Sequence, residues 1–326
     1  MRVLVLHNPK AGRVETDGEQ LVRHIEQCGH QVEVHTSKKA WRAALDRGPD
    51  LIVAMGGDGT VGKVARSLVG RDIPIALLPM GTANNIAAAL GLQDYEPSRL
   101  IAGWNDAARR PFDVGVARGP WGECRFLESV GVGLLSEAIH VIDEGHARYV
   151  NEIGDTALRI DAALEVFRHT LDKMPTAAVE LRLDGEALSG QYLLVEALNF
   201  GAAGPNLNFA PHGDPADGLL DLVVAEEADR TILRERLGLF RSEPTAAPVL
   251  RTHRGRRIEM QCEGCVLHLD DQLQRGDAGT IEITVEAGAL TFLIPPDLQP
   301  SSESPAPATI SRPGGVADGA RRRVGR

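Results

Sequence analysis

Gly56-Gly57-Asp58-Gly59-Thr60 separates the apolar run Leu51-Ile52-Val53-Ala54-Met55 from Val61-Gly62-Lys63-Val64-Ala65-Arg66-Ser67-Leu68-Val69, whose apolar residues recur at helical spacing. A short continuous apolar run is what a strand buried on both faces of a parallel sheet presents. The glycines let backbone N–H groups come close to an anion, and the helix start that follows adds unpaired donors and the positive end of its dipole. A phosphate suits such a turn. An aspartate inside it would repel bare phosphate, so Asp58 is expected to work with a divalent cation lying between carboxylate and phosphate. The loop predicts a Mg-nucleotide; the plainer alternative is a tight turn with no ligand.

Two familiar phosphate loops fit less well. Gly57 to Gly62 also satisfies GxGxxG, but it follows the third predicted strand instead of the first. The next strand, Ile75-Ala76-Leu77-Leu78-Pro79, ends without the acid that would hold a ribose. The GxxxxGK[ST] pattern is absent.

Outward from this turn, the first hundred residues alternate strand and helix. Strands are expected at Val3 to His7, Gln31 to Thr36, Leu51 to Met55 and Ile75 to Pro79, with helices at Glu19 to Cys28, Trp41 to Leu45, after the glycine turn and at Ile86 to Leu90. Polar, glycine-bearing turns around Asn8, Asp58 and Thr82 fall at the carboxyl ends of these strands, where ligands of such sheets gather. From about Phe112 the texture becomes alternating: Asp113 to Ala117, Ala178 to Leu183, Gln191 to Leu198, Leu219 to Ala225, Arg257 to Cys262 and Ile281 to Glu286. The fold class expected is an α/β N-terminal nucleotide-binding domain with a Rossmann-like parallel sheet, residues 1–111, followed by a β-rich antiparallel sandwich or open barrel, residues 112–284. One helical insertion, Ile153 to Leu171, interrupts the second part, and residues 297–326, rich in Ser, Pro, Gly and Ala, are expected to be a disordered tail.

The 326 residues are 43% hydrophobic and 25% charged, ordinary for a chain that buries a core. A formal net charge of −10 argues against a nucleic-acid partner. No run approaches the about 18 apolar residues of a membrane span, and the N-terminus opens directly into a strand. A cytoplasmic location follows as an expectation. Cys262-Glu263-Gly264-Cys265 is formally CxxC without a second half-site, and residues three apart on a strand face opposite sides, so two unbonded thiols are expected.

Asn8-Pro9-x-x-Gly12, Gly56-Gly57-Asp58-Gly59-Thr60 and Pro79-x-Gly81-Thr82-x-Asn84 occur in order before a β-rich half. Together they resemble the lipid kinase family that contains bacterial diacylglycerol kinases, YegS-type lipid kinases and sphingosine kinases. The resemblance covers all but the tail. It implies an ATP-binding α/β domain, a β-rich lipid-binding domain, a catalytic cleft between them and C-terminal strands, about residues 285–296, that return to the first domain. It implies further that Asn8, Gly12, Thr36, Gly56, Gly57, Asp58, Gly59, Thr60, Val61, Gly62, Thr82 and Asn84 line the nucleotide. Thr36 is equally well an ordinary strand residue. Asp214-Pro215-Ala216-Asp217-Gly218-Leu219 is similar to the family segment that holds a structural Mg through Asp214, Asp217 and the Leu219 carbonyl; taken alone, these are solvated turn acids. Asp113 matches a family aspartate of the active-site network.

Two departures stand out. Where the family carries Asp-Gly-Glu, with Glu as the base for the lipid hydroxyl, this chain reads Asp270-Asp271-Gln272. An amide does not accept that proton. Phosphoryl transfer depends chiefly on positioning and charge neutralisation, and Asp271 is a substitute base one position away, although a one-residue shift on a strand changes face. Asn85 stands where many members have Asp. The resemblance therefore implies an ATP- and Mg-dependent kinase acting on a diacylglycerol-like or sphingoid lipid at the membrane surface, with a homodimer left open. The alternative is a catalytically impaired homologue that binds nucleotide or lipid. A third reading, an NAD kinase, shares the glycine loop, but Asn151-Glu152 opens a predicted helix and no later Thr-Gly-Ser-Thr-Ala-Tyr-like stretch follows.

Overall fold

The computed structural model describes residues 1–9, 18–36, 38–238, 250–274 and 279–296. Gly12 and the tail expected over 297–326 lie outside the described residues.

Strands β1 (Arg2–His7), β2 (Gln31–His35), β3 (Leu51–Gly56) and β4 (Ile75–Pro79) pair in parallel in the order β4-β3-β1-β2. Every residue of β3 is buried, as its unbroken apolar run requires in a sheet covered on both faces. The covering helices are α1 (Gly18–Gln27), α2 (Lys38–Leu45), α3 (Asp58–Leu68), α4 (Asn85–Ala89) and α5 (Pro97–Ala102). Helix α3 begins earlier than its apolar spacing indicates: Gly57 is its N-cap, Thr60 N donates to Gly57 O at 2.8 Å, and Asp58, Gly59 and Thr60 form its first turn.

The rest of the chain comprises β5 (Ala108–Gly119), β6 (Gly122–Phe126), β7 (Ser129–Gly133), α6 (Leu134–Asp143), α7 (Thr156–Lys173), β8 (Ala177–Leu183), β9 (Glu186–Ala187), β10 (Gly190–Tyr192) and β11 (Leu194–Leu198). It continues through β12 (Ala202–Ala203), β13 (Leu207–Asn208), β14 (Leu220–Ala225), α8 (Arg230–Gly238), β15 (Arg251–Gly255), β16 (Arg257–Gln261), β17 (Leu267–Leu269), β18 (Gln272–Gln274) and β19 (Ile281–Ile294). A six-stranded sheet runs β15-β14-β11-β7-β17-β18. It packs on the β8-β16-β19 region of the larger sheet through Phe126, Val130, Leu222, Ile258, Met260 and Ile283.

Strand β19 joins the two parts. It pairs antiparallel with β16 and β5, then lies parallel to β4 with Phe292 beside Ile75, so one eleven-stranded sheet crosses the molecule. Ile281 to Glu286 and Leu290 to Ile294 are thus one strand with a register shift between Glu286 and Leu290, where Gly288 takes φ +59°.

Two expectations need correction. The single helical insertion is three helices, α6, α7 and α8, which cover the second face of the six-stranded sheet through Leu135, Ala138, Leu164, Phe167, Leu194 and Leu233. Gly133, at φ +92°, turns β7 directly into α6 without the polar break that marks the other strand ends. Cys262 and Cys265 are joined as a disulfide with Cα atoms 5.6 Å apart. They do not lie on a strand: β16 stops at Gln261, and Gly264 at φ +71° bends the chain so that both sulfurs meet.

Candidate active site

The turns after β3 and β4 meet backbone to backbone. A Cβ added to Gly81 would lie 2.4 Å from the Gly57 Cα, and one added to Gly57 would lie 2.8 Å from the Gly81 Cα. No side chain fits there. Asn84, at φ +54°, braces the second turn: its Oδ1 accepts from Gly81 N at 2.8 Å and its Nδ2 donates to Gly81 O at 3.1 Å. Asp58 ties the two turns together, because its carboxylate accepts the Ile86 N–H at 3.1 Å in the first turn of α4. Burial raises the Asp58 carboxyl above its ordinary range, against the pull of these backbone donors.

A cavity of about 380 Å³ opens beside these turns. Its lining takes Gly57, Gly59 and Thr82 from the turns and Ile139, Ile142, Ala163 and Phe167 from α6 and α7. Thr82 Oγ1 accepts from Arg159 Nη2 of α7 at 2.5 Å, which ties the turn after β4 to the helical wall. Five acids also line the cavity: Asp58, Glu128, Asp143, Asp270 and Asp271.

These acids are held differently. Asp270, at φ +50°, pairs with Arg66 Nη1 at 2.9 Å and accepts the N–H groups of Leu127 and Glu128 at 3.1 and 2.9 Å. Its carbonyl lies 2.9 Å from Nδ1 of the buried His268, whose Nε2 is 2.9 Å from Glu196. Asp271 is exposed, with Oδ2 3.5 Å from where a Gly59 Cβ would stand. Glu128 sits just before β7 and accepts Asn85 Nδ2 at 2.7 Å; the same amide donates to Gly204 O at 2.8 Å. Burial first, and then the charges of Asp58 and Asp270, push the Glu128 carboxyl well above the usual carboxylate range.

Of the residues singled out in the sequence, Gly57, Asp58, Gly59, Thr82, Asp270 and Asp271 come together on the cavity wall. Gly56, Thr60, Val61 and Gly62 lie behind it at the strand end and in α3, and Asn84 supports the turn. Asn8 donates its backbone N–H to Met55 O at 3.0 Å and Thr36 is exposed; neither lines the cavity. Gln272 is exposed at the start of β18, outside the cavity lining. Asp113 is buried away from it, accepting Gly218 N and Gly288 N at 2.7 Å each. Glu128 escapes sequence reasoning, since it precedes an ordinary strand and meets Asn85 only in the folded chain.

The proposed Mg ligands do not form an open chelate. Asp214 lies on Arg110 at 3.4 Å, Asp217 on Arg254, and Leu219 contributes its N–H to Asp217 Oδ1 at 2.9 Å. Both carboxylates thus carry guanidinium partners in this structure. No group of three or more His, Cys, Asp or Glu set to hold a metal occurs among the described residues.

A parallel sheet with glycine turns at its strand ends, joined to a β-sandwich that closes an acid-lined cavity, defines a nucleotide-dependent phosphotransferase of two parts. Known proteins agree. The diacylglycerol kinase catalytic domain matches residues 2–117, and the YegS C-terminal NAD kinase beta sandwich-like domain matches residues 141–294. A diacylglycerol kinase of Bacillus subtilis is 26% identical over 238 residues, 70% of this chain and 75% of that one. A YegS-like protein of Pseudomonas putida, described as a probable lipid kinase, is 30% identical over 248 residues, covering 72% and 78%. The solved structure of a diacylglycerol kinase from Bacillus anthracis superposes with a TM-score of 0.70 over 91% of this chain and 98% of that one, at 21% identity. An NAD kinase from Archaeoglobus fulgidus shares the fold at a TM-score of 0.53 and 16% identity, over 91% and 95%. The chain belongs to the diacylglycerol kinase and YegS-like family of lipid kinases. It is a phosphotransferase, and family membership implies ATP as its phosphoryl donor.

Proposed function

We propose that this chain transfers the γ-phosphate of ATP to a hydroxyl of a diacylglycerol-like or sphingoid lipid presented at a membrane surface. The observation that carries this reading is a single cavity with two unlike kinds of lining. Gly57 and Gly59 offer a phosphate close backbone approach, and Ile139, Ile142, Ala163 and Phe167 offer an acyl chain an apolar wall.

The charge of the cavity supports Mg as the partner of ATP. Five carboxylates line it and Arg66 is already spent on Asp270, so a polyphosphate enters favourably only with a cation bound to it. When bound, the cation would neutralise charge on the transferring phosphoryl group. The chain's own residues then orient the reactants: the paired glycine turns shape the phosphate end, and Arg159 fixes Thr82 against α7. The exposed Gln272 favours a second reading, an impaired homologue that binds without transferring.

Transfer of label from γ-labelled ATP, with Mg, to dioleoylglycerol, sphingosine and NAD separates these readings. Label in one of the lipids and none in NAD is the expected result. Binding of Mg-ATP without label in any acceptor would favour the impaired homologue, and labelled NAD would overturn the lipid assignment.

A further inference from the structure

We propose that Glu128 is the catalytic base of this chain, taking the proton of the acceptor hydroxyl in place of the carboxylate that Gln272 and Asn85 both lack. The inference rests on the lipid-kinase reading above and assigns the proton acceptor within the same cavity.

Elimination among the acids of the cavity leads there. Asp270 is occupied by Arg66 and two backbone N–H groups. Asp58 is held on the start of α4, and Asp143 accepts from Asn151 Nδ2 at 3.1 Å beside the apolar wall. Asp271 is exposed above Gly59, at the phosphate end. Glu128 is half-buried and lies in the electrostatic reach of Asp58, Asp270 and Asp271 together, with an amide as its side-chain partner. The Asn85 hydrogen bond at 2.7 Å also accounts for the pairing of residue types. The resemblance leads one to expect Asp where Asn85 stands, and Glu128 returns a carboxylate across that one hydrogen bond.

In the step, the acceptor O–H bond breaks as its proton passes to the Glu128 carboxylate. The oxygen forms a bond to the γ-phosphorus, the bond from that phosphorus to the bridging oxygen breaks, and ADP leaves with the electron pair. Glu128 afterwards returns the proton to solvent. The charged groups that act on it are Asp58 from α3 and Asp270 and Asp271 from the β17–β18 turn; Arg66 of α3 sits on Asp270, and Asp143 at the end of α6 lines the same cavity. Burial first, and then the charges of Asp58 and Asp270, hold the Glu128 carboxyl above its ordinary range, so it takes up a proton more readily than an exposed carboxylate does.

The test compares wild type, Glu128→Gln, Asp271→Asn and the double variant E128Q/N85D in micelles containing dioleoylglycerol or sphingosine, with Mg-ATP. Glu128→Gln keeps an acceptor for Asn85 but no base. Its kcat should fall by about 10²–10⁴-fold with the KM for Mg-ATP unchanged, and the acidic limb of the pH profile should disappear. The double variant, with a carboxylate restored at residue 85, should recover part of the rate. Wild-type kcat in Glu128→Gln, a loss confined to Mg-ATP binding, or loss of the limb only in Asp271→Asn would overturn the assignment of Glu128 and leave the lipid-kinase reading standing. A wild-type chain that binds Mg-ATP but labels neither lipid would remove that reading, and this inference with it.

Discussion

At Gly57 and Gly81 one hydrogen decides whether two loops can meet. A methyl at Gly81 would stand 2.4 Å from the Gly57 Cα, and because both sides of the contact are backbone, neither can rotate away. Gly81→Ala should destabilise the fold by about 1–3 kcal/mol through overpacking and should weaken Mg-ATP binding at the same time. Melting and calorimetric titration check the two effects; a variant that loses neither would show the turns to be more separate than they stand. Glu128 makes the opposite trade. Its folded-state carboxyl is raised above the ordinary 4.5, so the folded chain holds a proton that the unfolded chain has already released. Stability from this group is therefore greatest at acid pH and is lost as pH rises from about 4.5 through the raised value. Glu128→Gln should melt higher than wild type at neutral pH, with the difference vanishing in acid. A variant that melts lower at neutral pH would show that the charge is compensated in the fold.

Among the elements, the bulge of β19 and the Asp214–Leu219 segment share one anchor. Asp113 in β5 accepts the N–H groups of Gly288 and Gly218, one on each carboxylate oxygen. An amide has one acceptor end, so Asp113→Asn should leave a buried N–H facing another donor and cost about 1–3 kcal/mol, read as a lower denaturation midpoint. Equal midpoints would mean that the segment is held by other contacts. The ion pairs of Asp214 and Asp217 lead to a related expectation: without nucleotide, Mg and chelator should give the same melting curve. A midpoint that rises with Mg alone would restore the cation at these residues.

Much of this level was legible before folding. The buried β3, the glycine turn and the positions of the four parallel strands along the chain followed from apolar runs and strand-end glycines, which are local signals. The register shift in β19 was not, because Ala287, Gly288 and Ala289 look like a break until β5 is seen to run alongside both halves. Helix α6 was hidden because Gly133 carries β7 into it with no intervening loop. The acids show the same limit. Asp58, Asp270 and Asp271 belong to recognisable stretches, whereas Glu128 gains its setting from Asn85, at a separation of 43 residues, and from the turn between β17 and β18. Partners of that kind leave no periodicity behind.

For the whole molecule, β19 is the decisive connection. It is the neighbour of β4 in the first sheet and of β16 and β5 in the second part, and Phe292 packs edge-on against Phe112 with ring centroids 5.0 Å apart. The two parts should therefore unfold together, giving one calorimetric transition whose van't Hoff and calorimetric enthalpies agree. Residues 1–111 expressed alone should fail to fold, since β4 would lose its β19 neighbour and Ile75 the Phe292 beside it. Two separate transitions would show that β19 does not couple the parts. In the proposed function, phosphate and acceptor share one cavity between the glycine turns and α6–α7. A crystal structure of the full chain with Mg and a non-hydrolysable ATP analogue tests that placement most directly. The terminal phosphate should lie against Gly57 and Gly59 with the Glu128 carboxyl facing the open side towards Ile142 and Phe167; a nucleotide bound elsewhere, or turned so that its terminal phosphate points away from that wall, would contradict it.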